Sequence, residues 1–271
     1  LGQEFHGWGF TINDEIENLR AAQEHLKIVN LGATAIGTTV TAAPGYPELA
    51  VKNLAELTGI DFKNSEDLIA ATSDCGAYMT LSSAIKGLAV KMTKVCNDIR
   101  LLASGTRCGL KEINLPQLQP GSSIMPGKVN PVAAEVANQA SFLAIGLDTT
   151  VMLAASAGQL ELNVMEPVIT FALYTQMKVM TNACDTLRTK LVEGVTANTE
   201  RCKDYVMNSI GIVTLLKPHF GYQKCVAIAK EGYTTGKSLH QIVVDEQHLM
   251  TQAEWDATFN TQNLIHPKFV K

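Results

Sequence analysis

The sequence predicts an all-α fold, a bundle of long helices followed by a small helical domain at the C-terminal end. Three observations carry that expectation. Apolar residues recur at helical spacing over stretches far longer than the usual helix of about 11–12 residues. No segment alternates polar and apolar residues as a half-buried strand would. After Gly194 the long runs give way to short segments divided by Asn198, Pro218, Gly221, Gly232 and Gly236. We therefore expect a central bundle domain over residues 1–193 and a small helical domain over residues 194–271. No unit of 20–50 residues repeats along the chain.

From Glu15 to Leu31 the apolar set is Ile16, Leu19, Leu26, Ile28 and Leu31, with Gly32 as the expected stop. The chain opens at Leu1 inside this helical pattern and without an initiator methionine, so its start reads as a cut. A short helix is expected over Glu48 to Leu57, between Pro44-Gly45-Tyr46-Pro47 and Gly59. Ser65 opens a run that reaches Ala103 through Ile85, Met92, Cys96, Ile99 and Leu102, and Ser104-Gly105 ends it. Two further runs are expected over Val132–Ala157 and Leu160–Val192, with Gly158 and Pro167 as punctuation. In the C-terminal part, Thr251-Gln252-Ala253-Glu254 reads as a capping box. Met79, Met92, Met152, Met165 and Met177 fall in the long runs and are expected to fill the core.

Between these runs, residues 105–131 break every period. They hold Gly105, Gly109, Pro116, Pro120, Gly121, Pro126, Gly127 and Pro131. A structureless connection of this length inside a compact domain is usually functional or disordered.

Composition removes several function classes. The chain has 271 residues, 46% of them hydrophobic and 18% charged, enough for one large core or a core with a small second domain. A net charge of -4 with no basic run gives no footprint for nucleic acid. No apolar stretch approaches the roughly 20 residues of a membrane span. Cys75, Cys96, Cys108, Cys184, Cys202 and Cys225 form no CxxC pair and are expected to be reduced, mostly buried thiols, which suits a cytoplasmic protein. The six histidines form no HExxH or HxH pair, so no metal site and no cofactor are expected. His6 is expected to be a packing or interface residue, and Thr34 and Thr38 to cap turns.

The stretch richest in chemistry is Gly121-Ser122-Ser123-Ile124-Met125-Pro126-Gly127-Lys128-Val129-Asn130-Pro131. Removing a proton next to a carboxylate requires a base at the carbon and donors for the dianionic aci-carboxylate that forms. Serine hydroxyls, an ammonium and an amide in one segment supply both, and Gly121 and Gly127 permit the segment to close. A phosphate-binding GxxxxGK[ST] loop does not fit: five residues separate the glycines, and Val129 stands where magnesium would need a hydroxyl. A plain Gly/Pro-rich connection whose serines cap turns stays open on composition alone.

The eleven residues just quoted resemble the signature of the aspartase/fumarase superfamily. Leu1-Gly2-Gln3-Glu4-Phe5 is similar to the start of a central-domain helix in that family, and Asn30-Leu31-Gly32-Ala33-Thr34-Ala35-Ile36-Gly37 to the loop that follows it. Three stretches resemble the aspartase branch rather than the fumarase branch. They are Thr72-Ser73-Asp74-Cys75-Gly76-Ala77-Tyr78, Leu162-Asn163-Val164-Met165-Glu166-Pro167, and the run from Tyr205 to Thr214. At Met165-Glu166, for instance, fumarases carry an aromatic residue and a lysine.

The resemblance implies a lyase that reversibly deaminates L-aspartate to fumarate and ammonia through an aci-carboxylate. It implies that Ser122 is the general base, that Lys128 binds a substrate carboxylate and that Asn130 hydrogen-bonds the same region. Gly121, Ser123 and Gly127 would shape the loop, and Glu135 would support the site from behind, although a first-turn Glu can also simply favour a helix N-terminus. The resemblance also implies a homotetramer whose sites each draw on three subunits. The family's Thr-His or Thr-Gln pair, and further substrate-binding Thr and Ser residues, precede the segment matching Leu1, so this chain by itself is expected to have little or no activity. Two alternatives remain at this point. One is a fumarase-like hydro-lyase, the other a non-catalytic helical protein, because lens crystallins share the superfamily.

Overall fold

A computed structural model describes residues 1–105 and 107–265; residues 266–271 of the expected C-terminal domain lie outside the described residues. The described chain falls into two compact units, Glu4–Thr196 and residues 197–265 with Leu1–Gln3. The expected all-α architecture is observed. Ten α-helices follow one another among the described residues: α1 (Gly2–His25), α2 (Tyr46–Thr58), α3 (Ala70–Ser73), α4 (Gly76–Leu102), α5 (Val132–Ala155), α6 (Glu166–Lys190), α7 (Thr199–Met207), α8 (Lys217–Thr235), α9 (Gln252–Thr258) and α10 (Thr261–Ile265). The strands among the described residues are two residues long, β1 (Ile28–Val29) with β2 (Lys63–Asn64) in parallel, and β3 (Ile113–Asn114) with β4 (Thr196–Ala197).

The larger unit is built on α4, α5 and α6, each about 36–40 Å long at 1.5 Å per residue. The middle helix, α5, packs against both neighbours. Its contact face is lined by Ala133, Ala134, Ala137, Ala144, Val151 and Ala154, small side chains that let helix axes approach closely. Polar ties cross the same interfaces. Asp148 on α5 accepts from the Ser82 hydroxyl at 2.8 Å and from the Lys86 ammonium at 2.5 Å. Gln176 of α6, fully buried, donates to the Ala144 carbonyl at 2.9 Å.

α1 is fastened to α4 by an ion pair between Glu15 and Lys91, with the Asn18 amide also donating to Glu15 at 3.1 Å. Burial pushes the Glu15 carboxyl up, but the Lys91 ammonium and the Asn18 amide more than offset it and hold the carboxyl below its usual value. A carboxyl whose pKa is lowered by folding stabilises the fold above its unfolded pKa and ceases to do so as pH falls through the lowered value. Acid-induced unfolding of Glu15→Gln, followed by circular dichroism, should therefore be less steep below about pH 4.5 than that of the parent.

Three element boundaries differ from expectation. The first helix stops at His25 rather than Leu31, because Ile28 and Val29, both β-branched, pair with Lys63 and Asn64 instead. The run from Ser65 is broken at Asp74, whose backbone is extended and whose carboxylate accepts from the Gly76 N–H at 3.2 Å, a local turn that competes with the helix. α6 begins at Glu166 rather than Leu160, since Pro167 lacks a backbone donor and belongs in a first turn. The methionine expectation holds only for Met92, which is 3% exposed; Met79, Met152, Met165 and Met177 lie on exposed faces of the bundle. His6 is exposed, and the Thr34 and Thr38 hydroxyls cap turns by donating to the carbonyls of Val40 and Ala35, both at 2.7 Å.

The smaller unit has its own core of Leu216, Ile228, Leu239, Ile242, Val243, Trp255 and Phe259. The capping box at the start of α9 is formed in both directions between Thr251 and Glu254.

Candidate active site

α4 delivers the chain to the candidate site. Its last turn leaves carbonyls without helical partners, and the segment that follows folds back to use them. The N–H groups of Lys111 and Glu112 donate to the carbonyls of Ser104 and Leu102 at 3.1 and 2.9 Å, and the Ser104 hydroxyl accepts from Leu110 N–H at 3.2 Å. From β3 the chain runs through Pro116 and Pro120 into the signature loop and leaves it at Pro131, which caps α5.

Within the loop the Ser122 hydroxyl oxygen accepts two backbone hydrogen bonds, from Ile124 N–H at 3.1 Å and Met125 N–H at 3.0 Å. Two converging N–H dipoles are what an alkoxide at that oxygen would require. The loop is closed at its neck. The Asn130 side-chain amide donates to the Gly121 carbonyl at 2.6 Å. Gly121 lies so close to the opposite strand of the loop that an added Cβ would stand 1.6 Å from the Lys128 carbonyl oxygen. At the tip, Gly127 adopts φ +78°, with open space where a Cβ would be. Ile124 is 86% exposed, an apolar side chain presented to solvent by a polar loop.

A cleft of about 590 Å³ lies between the descending arm of the loop, Met125 to Pro131, and the wall formed by Arg100, Ala103, Ser104, Gly105, Lys111, Asn114 and Leu115. That volume is ordinary for a small-molecule site. Lys128, Asn130 and Gly127 line it, as do Arg100 and Lys111, and none of the described lining residues is acidic. Of the residues singled out in the sequence, the structure thus brings Lys128, Asn130 and Gly127 to one cavity. Ser122 and Gly121 stand on the other arm of the loop, Ser123 is exposed beside them, and Glu135 is half-buried in the first turn of α5. Sequence reading missed Arg100, Lys111 and Asn114. The available signal was positional: Arg100 ends the long run before the loop, and Lys111 follows it within the Gly-rich break.

Fold and site together define an all-α bundle protein with a hydroxyl-bearing loop over a basic cleft. Residues 1–146 match the family described as Lyase, and residues 212–266 match the Fumarase C C-terminus. The chain belongs to this lyase family, the aspartase/fumarase superfamily that its signature loop resembles.

Its relatives include the aspartate ammonia-lyase of Escherichia coli strain K12, 54% identical over 99% of this chain and 56% of that protein. The aspartate ammonia-lyase of Helicobacter pylori strain 26695 is 49% identical over 100% of this chain and 58% of its own length. Among solved structures, a fumarate lyase:delta crystallin from Brucella melitensis bound to cobalt superposes with a TM-score of 0.91 at 40% identity, over 95% of this chain and 56% of that one. A class II fumarase from Schistosoma mansoni does so with a TM-score of 0.90 at 28% identity, over 99% and 59%. The chain thus spans somewhat more than half the length of the relatives it matches.

Proposed function

We propose that the chain is part of an aspartate ammonia-lyase and supplies the proton-abstracting loop of its active site. The observation that carries this reading is the pair of N–H groups converging on the Ser122 oxygen. A serine is a poor base until its oxyanion is stabilised, and those donors are pre-oriented for that purpose. In the proposed reaction Ser122 takes the β-proton of L-aspartate. The electron pair left behind spreads into the adjacent carboxylate, giving an aci-carboxylate with two negative charges. The Lys128 ammonium offsets that charge. The pair then returns to form the carbon–carbon double bond as the carbon–nitrogen bond breaks, releasing ammonia and fumarate. Asn130 serves this step by holding the loop neck and by leaving its Oδ1 and second N–H for a ligand. Gly127 lets the tip turn, and Glu135 supports the start of α5 beside Pro131.

Aspartate rather than malate is favoured because the relatives named above at 49–54% identity are aspartate ammonia-lyases, whereas the fumarase stands at 28%. The decisive assay joins this chain to the N-terminal portion of the Escherichia coli relative and follows ammonia against malate-derived fumarate. Ammonia release supports the reading, and malate dehydration without deamination would replace it with a hydro-lyase. The chain alone is expected to release little or no ammonia, because it spans only 56% of the length of that relative. In the joined protein Lys128→Ala should raise KM and lower kcat together, since the clamp acts on ground state and transition state alike.

The apolar outer faces of the long helices, with Phe142 at 56%, Leu153 at 60%, Phe171 at 65% and Tyr174 at 67% exposure, support assembly into a homotetramer. Sedimentation of the joined protein should give a tetramer, and a stable monomer would contradict this. The six thiols, all free, fit a cytoplasmic setting. No described helix is long and apolar enough to cross a membrane.

A further inference from the structure

The stems of the signature loop rest on a segment that the proposed reaction does not use. Leu115 and Pro116 on the entry stem, Asn130 and Pro131 on the exit stem, and Leu191 at the end of α6 line one gap too narrow for a water molecule. Close-packed neighbours of this kind pass a displacement on rather than absorb it. Leu191 is buried, and its N–H donates to the Leu187 carbonyl at 3.2 Å, so this seat is fixed to the bundle. Two further contacts come from the turn after it. Gly194, whose N–H donates to the Leu191 carbonyl at 3.0 Å, stands so close to Pro116 that an added Cβ would lie 2.6 Å from the proline Cγ. The Gly194 backbone is outside the left-handed region, so its missing side chain answers to space and not to φ. Pro116 cannot swing aside as a long side chain would, because its ring is closed on its own backbone nitrogen. Two residues on, the Thr196 hydroxyl accepts from the Asn114 amide at 3.3 Å, and Asn114 lines the cleft. Neither Gly194 nor Thr196 lines the cleft itself.

We propose that Gly194 and Thr196 are positioning residues for the reaction, holding the entry stem of the loop through Pro116 and Asn114. The proposal rests on the reading of the loop as a lyase loop and adds two residues outside the cleft that set where its arms stand. A side chain at position 194 would push Pro116, and with it the chain leading to Ser122, away from the end of α6. Relieving a 2.6 Å carbon–carbon contact to an ordinary separation of about 3.5–4.0 Å takes a shift of about 1 Å. The exit stem, which carries Lys128 to Pro131 at the start of α5, keeps its place. The separation of base and clamp then changes although both groups are still present.

The test has two arms. In the joined protein, Gly194→Ala is expected to lower kcat/KM for aspartate deamination by about ten- to hundredfold, since a misplacement of about 1 Å can cost about 10²-fold. Most of the loss should fall in kcat, because the base is displaced and the clamp is not. Pro116→Ala removes the ring atom that the new methyl meets. The double variant Gly194→Ala with Pro116→Ala should therefore turn over faster than Gly194→Ala alone, a coupling that two independent structural losses do not give. Thr196→Val should cost a few-fold and Thr196→Ser should keep most of the turnover; this pair carries the test if circular dichroism shows Gly194→Ala unfolded. The second arm is amide exchange over residues 113–131 of the 271-residue chain, read by mass spectrometry. Exchange should be faster in Gly194→Ala and slow again in the double variant. Parent-like kcat/KM in both Gly194→Ala and Thr196→Val overturns the proposal, and so does a double variant no faster than Gly194→Ala. Faster exchange in Gly194→Ala, with no ammonia released by the joined parent, would keep the seat and sink the lyase reading. Ammonia release by the joined parent, with exchange unchanged in a folded Gly194→Ala, would do the reverse.

Discussion

In the joined protein, Ser122→Ala should lower kcat for the proposed aspartate deamination by about 10²–10⁴-fold, the range that a positioned base contributes, and leave KM within a few-fold of the parent. The reasoning is geometric. The Ser122 oxygen already accepts from the N–H groups of Ile124 and Met125, and alanine removes the atom on which they converge. The two donors then face solvent, so the loop keeps its outline and Lys128 and Asn130 keep the cleft. Binding survives while proton removal does not. Ser123 is the internal control: it is exposed, one residue away, and Ser123→Ala should retain most of the turnover. Steady-state measurement of kcat and KM in both variants separates a base from a loop hydroxyl. An inactive Ser123→Ala beside a fully active Ser122→Ala would reverse the assignment.

Gly121→Ala should be nearly as damaging, although the residue has no chemistry of its own. The added methyl would fall 1.6 Å from the Lys128 carbonyl oxygen and 2.4 Å from the carbonyl carbon, distances no backbone can absorb without moving. The two arms of the loop must part, and the 2.6 Å hydrogen bond from Asn130 to the Gly121 carbonyl is lost with them. Ser122 and Lys128, one on each arm, then no longer hold their separation. A misplacement of about 1 Å can cost about 10²-fold in rate, and that is the expected loss in kcat/KM. Gly127→Ala makes the contrast. It meets a left-handed φ, +78°, but nothing occupies the space around it. The cost there is confined to backbone strain of about 1–2 kcal/mol and should weaken activity much less. Equal effects from the two substitutions would mean that the close neck has no part in the mechanism.

The fold was legible in the sequence where periodicity was long. Residues 132–155 and the second half of the run from Ser65 specify their helices through repeated Ala, Val, Ile and Leu on one face, and Ser104-Gly105 ends α4 where expected. It was illegible where a local polar group or a distant partner intervened. Asp74 cuts a continuous helical pattern by capping its own turn, and Ile28-Val29 leave a helix to pair with residues 35 positions away. The methionines misled for another reason. Periodicity marks an apolar face but not which surface covers it, and four of the five face outward. At the site, the signature loop was legible because its residue types are unusual together. Arg100 and Lys111 were not, because lysine and arginine near helix ends are ordinary, and only the hydrogen bonds from Lys111 and Glu112 back to Ser104 and Leu102 bring Lys111 beside the end of α4 in the lining of the cleft. The latch from Asn130 to Gly121 was likewise invisible, since nine positions of sequence do not state that a loop is closed.

The proposed role of Ser122 is to exchange the proton at the carbon next to the carboxylate. The most direct measurement runs the reaction backwards, with fumarate and ammonium supplied in D₂O to the joined protein and the aspartate formed read by NMR. One deuterium is expected at the β-carbon, delivered by the parent and by Ser123→Ala, and no labelled aspartate above the uncatalysed background from Ser122→Ala. Continued β-deuteration at the parent rate by Ser122→Ala would contradict it.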